Sequence, residues 1–415
     1  MKINKNWVLF SLINFFIASV MGLMLRGAFI WEINWLDYRN LMHGHSHVTM
    51  LGWVYLALYI LIGHCFLPKK VWAKPIYSWL FWFTQITVLG MMVSFPIQGY
   101  GVVSITFSTL HILASYLFCY LVWRDQDIKN PQISLLLKTA LVLLVFSTLG
   151  VWSLGPLTIS LGRGSTLYQL AIQFYLHFQF HGWFTFSLLA LLMGLLSQNS
   201  NYNHSTFKWF YALLLASVIL TYGLVLEWGL GGSIPLILNG LGIVFQLGAF
   251  LMFINLIKEN KPNYLNNKSS LGKSFYALGL LSWMFKIIIQ CAVLVPSVAV
   301  VSFTIRSFMV GFIHLTMLGF VSGLLFALIF GIGLVNERKK VMQTGKYLFV
   351  IGFVLSEFLL FVQGLFYWLQ WGQLPVFYEL IFGASVLIPL SILLMIIYLI
   401  KIPIYKYNPK MIIAY

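Results

Sequence analysis

Charge is what this sequence has least of. Only 8% of its 415 residues are Asp, Glu, Lys or Arg, 60% are apolar, and the mean hydropathy is +0.91. So few charges cannot solvate the outside of a soluble domain of this length, which excludes a water-soluble globular protein. Long polar stretches are also missing, so positions 1–415 read as a single membrane domain with no appended soluble one. Cysteine is scarce: Cys65, Cys119 and Cys291 form no CxxC pair and lie in apolar segments. That pattern argues against a disulfide framework and leaves them as packing residues.

What is present is a series of apolar runs of 20 or more residues, each long enough to cross about 30 Å of hydrocarbon as a helix. Backbone amides in lipid must be satisfied within their own segment, so the fold class is all-α polytopic. Breaks at charged residues or at Pro and Gly delimit twelve spans, near 7–30, 41–67, 76–98, 101–123, 132–154, 166–197, 208–228, 233–257, 274–297, 304–335, 347–370 and 378–401. The run after MKINKN is followed by no small-residue cleavage site, so it reads as the first span rather than a signal peptide.

The net charge of +16 does not make a nucleic-acid surface, because the lysines and arginines sit in short connections such as KKVWAK (69–74) and ERKK (337–340). Alternate connections differ sharply. The N-terminus, 68–75, 124–131, 198–207, 258–273, 336–346 and the C-terminal KIPIYKYNPK hold nearly all the lysine, while 31–40, 99–100, 155–165, 229–232, 298–303 and 371–377 hold none. The positive-inside rule then places both termini in the cytoplasm, as expected for a multi-pass protein of a bacterial inner membrane.

Seven of the nine histidines, His43, His45, His47, His111, His177, His181 and His314, fall between the outer end and the middle of spans 2, 4, 6 and 10. Three share a local pattern: HVTMLGW (47–53), HFQFHGW (177–183) and HLTMLGF (314–320) each read His, four residues, Gly, then Trp or Phe. Arg39 and Arg306 stand eight residues before the first and third. The copies lie on spans 2, 6 and 10, which predicts a pseudo-three-fold repeat of four-helix units.

An imidazole at lipid depth must hydrogen-bond or bind a metal. Haem in a helical bundle needs axial histidines on facing helices within apolar walls, so His47 and His314 are the expected axial pair. Arg39 and Arg306, roughly 12 Å outward at 1.5 Å per residue, are placed to reach haem propionates. His43 with His47, and His177 with His181, are i, i+4 pairs that can present two ligands to one metal, whereas His45 points elsewhere. A second site, of copper, non-haem iron or a second haem, is therefore expected from His177, His181, His43, His45 and His111. The plain alternative for each is a hydrogen-bonded core histidine, and for His43 and His45 also a proton path.

Twelve spans with histidines on spans 2, 6 and 10 resemble subunit I of the haem-copper oxidase superfamily, the cytochrome c or quinol oxidases and nitric oxide reductases. HGHSHVTMLGW (43–53) is similar to the histidine-rich helices of its C-type oxidases. The resemblance implies haem b between His47 and His314, a metal at His177, and electron transfer to O2 or nitric oxide. It also implies a quinol or cytochrome c donor and additional subunits. Two features depart from the family: span 7 lacks its histidine pair, and span 10 has one histidine where the family has two. His181 stands where the oxidases have a tyrosine, and Glu227 where the span-7 ligands would be. No CxxCH occurs, so electrons must enter from another subunit or a quinol.

Glu227, Lys286 and Glu357 are costly in lipid and are expected to face the interior, on a proton path or in ion pairs; Lys138 is a further intramembrane charge. Two other functions fit the same residues: a non-catalytic haem or copper protein of the nitric oxide response (NnrS-type), acting as a sensor or assembly factor, and a metal-cation permease. The permease is disfavoured because transporter sites favour broken helices near the midplane, whereas these histidines sit on runs that read as unbroken.

Overall fold

The computed structural model describes residues 4–197, 202–259, 270–331 and 339–401. The lysine-side connections at 198–201, 260–269 and 332–338, both chain ends and the last residues expected for span 10 lie outside them. Among the described residues there is no strand, and twelve helices are long and apolar enough to cross a membrane. They are Lys5–Gly27, Tyr38–Phe66, Pro75–Gln98, Val102–Asp125, Pro131–Leu161, Thr166–Leu196, His204–Leu230, Ser233–Lys258, Leu271–Ala292, Arg306–Gly331, Lys340–Trp368 and Phe377–Lys401, spans 1 to 12 here. The protein is an all-α, multi-pass membrane protein.

Local sequence explains the ends. Asn4, Asp37, Asn130, Ser165 and Asn203 each accept a backbone N–H of the first turn that has no partner within the helix. Pro75 and Pro131 occupy first-turn positions where a missing N–H costs nothing. Spans 3, 5 and 7 stop at Gly99, Gly162 and Gly231, whose φ of 57°, 80° and 72° lie in the left-handed region that glycine enters freely.

Two spans run longer than expected. Gly155-Pro156 reads as a break, yet span 5 continues through it to Leu161, because a proline near a helix end removes only one ladder bond. Span 11 begins at Lys340 rather than near 347. Lys346 is buried there, its aliphatic stem covered and its ammonium 4.2 Å from the centre of the Tyr347 ring.

The chain divides into two compact units. The first holds 1–126, 269–280 and 300–412; the second holds 127–268, 281–299 and 413–415.

The largest departure from simple helices follows the repeated histidines. Immediately after His47, His177 and His314 the backbone widens into π-helical turns over Val48–Tyr55, Phe178–Phe184 and Leu315–Ser322. The spans expected to be unbroken are continuous but distorted at that point. π-Helix is rare and costs ladder geometry, so it persists only where surrounding groups hold it. In span 2 the Gly52 carbonyl accepts from Asn14 Nδ2 of span 1 at 2.9 Å. In spans 6 and 10 hydroxyls reach five residues back: Thr185 donates to the Phe180 carbonyl and Ser322 to that of Met317, both at 2.8 Å.

Asn14 also exchanges hydrogen bonds with Gln85 of span 3, at 2.8 and 3.1 Å, and both side chains are buried. Replacing Asn14 with Leu orphans the Gln85 amide and the Gly52 carbonyl. The expected loss is about 1–3 kcal/mol per orphaned group, read by thermal unfolding in detergent. Because Gln85 is no longer left half-paired, the Asn14→Leu/Gln85→Leu double variant should lose less than the sum of the two single losses.

Candidate functional site

Span 2 presents its histidines in two directions. His45 Nδ1 lies 2.7 Å from the Ala18 carbonyl of span 1. A carbonyl only accepts, so Nδ1 carries the hydrogen and Nε2 keeps its lone pair. Gly22 makes the room: a Cβ there would stand 2.9 Å from His45 Cε1. His43 and His47 instead face span 3 and the turn after it. His47 stacks on Phe95 with ring centres 4.1 Å apart, and His43 meets Tyr100 edge-on at 4.7 Å. His47 donates from Nδ1 to the His43 carbonyl at 2.9 Å, which also frees its Nε2.

Around Arg26 the first unit gathers four more polar groups. His314 of span 10 lies in electrostatic range of both His45 and Arg26. Its Nδ1 has no hydrogen-bond partner; the Val310 carbonyl one turn back is near the ring but outside bonding geometry. Arg26 of span 1 donates to Ser385 Oγ and, at 3.4 Å, to the Ile381 carbonyl, both of span 12. Spans 10 and 11 run antiparallel: Phe308 packs on Gly364, and Gly311 packs beside Phe361 and Leu360. One more step of three residues along each helix brings His314 level with Glu357. Glu357 is 8% exposed, lies in electrostatic range of Arg26, and neither of its oxygens has a hydrogen-bond partner. His45, His314 and Arg26 are flanked by several spans and are each partly buried.

The packing beneath joins the two helices. Trp53 of the span-2 π-turn donates from Nε1 to Ser322 Oγ of the span-10 π-turn at 2.9 Å, and its indole is stacked on Phe15 at 4.7 Å. The tryptophan of the repeated pattern is therefore a tie between spans 2 and 10.

His111 of span 4 is 2% exposed, packs edge-on against Tyr55 at 4.8 Å, and has no partner at Nε2. It lies in electrostatic range of His47.

In the second unit His177 and His181 stand together on span 6, with ring centres 4.7 Å apart. His177 donates from Nε2 to the Val218 carbonyl of span 7 at 2.7 Å. Span 7 breaks over Thr221 and Tyr222, between His204–Leu220 and Gly223–Leu230, so its ladder is interrupted just past Val218. His177 thus serves the backbone of that break. Lys286 is 2% exposed, donates to Gln290 Oε1 at 3.2 Å, and lies in electrostatic range of both histidines. Glu227 is half-buried on Gly223–Leu230.

The expected residues are divided between the two units. His43, His45, His47, His111, His314, Arg39, Arg306 and Glu357 belong to the first unit; His177, His181, Glu227 and Lys286 belong to the second. Among the described residues no group of three or more His, Cys, Asp or Glu side chains is disposed to hold a metal ion. Arg39 is exposed, and Arg306 donates to Tyr38 Oη at 2.8 Å with its guanidinium over the same ring. Sequence reading passed over Arg26, Asn14, Gln85 and Ser385. A charged or amide residue inside an apolar run was the available signal for the first three.

Compared with known proteins, the chain matches no protein-family model, and no curated protein is significantly similar to it.

Proposed function

We propose that this chain is a haem-binding redox protein of the bacterial inner membrane, with both termini cytoplasmic and its histidines in the outer half. The observation that carries the reading is the pairing of His45 and His314 across two helices, in range of each other and of Arg26. The donor set fits a bis-imidazole haem. His45 gives its Nδ1 hydrogen to a backbone carbonyl, the outer-shell bond that fixes a ligating imidazole and leaves Nε2 for iron. His314 has no hydrogen-bond partner at Nδ1. A haem held there supplies a one-electron couple. His45 is the better span-2 ligand than His47, whose ring is stacked on Phe95 on the other face. The π-turns that follow His47, His177 and His314 support the three-fold repeat, and the lysine asymmetry supports the orientation.

As an oxidoreductase it would pass electrons from a quinol or cytochrome c, with further subunits, to O2 or nitric oxide. A second reading, a haem protein of the nitric oxide response without turnover, is favoured by the His177–His181 pair, which among the described residues no third His, Cys, Asp or Glu joins to hold a metal.

Purification in detergent from haem-replete cells, followed by haem assay and reduced-minus-oxidised spectra, tests the proposal. Stoichiometric haem b is expected; a colourless, haem-free preparation sinks it. Oxidation of quinol or reduced cytochrome c with consumption of O2 or nitric oxide favours the oxidoreductase, and a haem-replete protein without turnover favours the second reading.

A further inference from the structure

Glu357 has no role in holding a haem, yet it is the least satisfied polar group beside the proposed one. A carboxylate enclosed among helices with neither oxygen hydrogen-bonded is costly when ionised, and such groups are retained for a reason. Its neighbours can be named element by element. Span 1 brings Arg26, and span 10 brings His314 at the same level. Span 12 offers Ser385 and the Ile381 carbonyl at this depth, both already engaged by Arg26. On that helix Glu379 is exposed near the first turn and Lys401 is the last residue. Among the described residues the one ion pair closer than 4.0 Å is Arg124–Asp125, so Glu357 pairs with neither Arg26 nor an imidazole. The Glu357 charge is therefore balanced through space alone, inside an enclosure of low dielectric where through-space terms are large.

We propose that Glu357 is a proton-binding site linked to the redox state of the haem, taking up one proton when the iron takes up one electron. The inference rests on the haem reading above. The balance is simple: an external one-electron reductant converts ferric to ferrous iron, removing one positive charge. One proton from water then converts the Glu357 carboxylate to the carboxylic acid, restoring that charge. Arg26 keeps its charge in both states and, tied to span 12, stays in place as the fixed reference.

The test is a redox titration of the purified holoprotein at a series of pH values. In the wild type the midpoint potential should fall as pH rises, by up to about 59 mV for each tenfold drop in proton activity. Glu357→Gln should keep the haem content and absorption spectrum while its midpoint becomes independent of pH over the same range. Glu357→Asp, which restores a carboxyl group, should restore the slope and covers the case in which the glutamine variant folds poorly. Redox-difference infrared spectra should show a carboxylic C=O band that Glu357→Gln removes. An unchanged slope in a haem-replete Glu357→Gln protein overturns this inference alone; a preparation without haem overturns the haem reading and this inference with it.

Discussion

Alanine at His45 or at His314 is expected to abolish the low-spin haem spectrum, and alanine at His47 or His177 to leave most of it in place. The reasoning turns on which imidazoles can share one iron. His314 shares its surroundings with His45 and Arg26, whereas His47 faces Phe95, Tyr100 and His43 from the same helix. A six-coordinate haem that loses one axial imidazole converts to a high-spin or haem-free form, so the effect is loss of nearly the whole signal. His177 belongs to the second unit, and its Nε2–H serves the Val218 carbonyl, so His177→Ala should cost stability while sparing the spectrum. Absorption and low-temperature EPR spectra of the four variants, normalised to protein, decide it. Loss in His47→Ala with retention in His45→Ala would return the ligand to the position picked out by the repeat.

A large, purely structural effect is expected at Gly150. Span 5 crosses span 6 so closely there that a Cβ on Gly150 would fall inside the contact radius of the Ala171 carbonyl oxygen and 3.1 Å from the Tyr175 amide nitrogen. Both obstacles are backbone, which cannot turn aside as a side-chain tip can. Gly150→Ala should therefore push the helices apart and cost at least the about 1–3 kcal/mol of an overpacked core, and Gly150→Val more. Gly155, one and a half turns on, has nothing within 4 Å of its would-be Cβ. Gly155→Ala should cost less than Gly150→Ala, its remaining cost coming from the new Cβ against the ring of the following Pro156. Thermal unfolding of the two alanine variants in the same detergent checks the contrast; equal midpoints would show that the crossing is looser than described.

The spans were legible because the hydrocarbon thickness sets a length that apolar runs must meet, whatever packs against them. The ends of spans 5 and 11 were not, since Gly155-Pro156 and Lys346 look like stops and become so only if their surroundings refuse them. The repeated histidine pattern was visible as spacing, but its backbone meaning was hidden. Nothing in HVTMLGW or HLTMLGF distinguishes an α-turn from a π-turn, because the partner that steadies it in span 2, Asn14, lies 38 residues from Gly52. The choice between His45 and His47 was hidden for a related reason. They are two residues apart on one helix, and only the helices packed against each face tell which of them meets His314. Arg26 drew no notice within span 1, since a sequence gives the depth of a Cα and not of a guanidinium that turns inward to Ser385.

The π-turns carry a consequence for how the three histidine-bearing spans can change. A helix advances about 100° per residue, so one extra residue inside a turn resets the angular phase of everything beyond it. In spans 2, 6 and 10 the stretch bearing the histidines and the densely buried stretch after the turn therefore keep separate phases. Losing one residue between Val48 and Tyr55 would leave composition and length almost unaltered. Because it removes the extra residue, the turn can close to plain α-helix with Leu56–Phe66 still in register with its neighbours, so such a deletion should be better tolerated there than one inside Leu56–Phe66 itself.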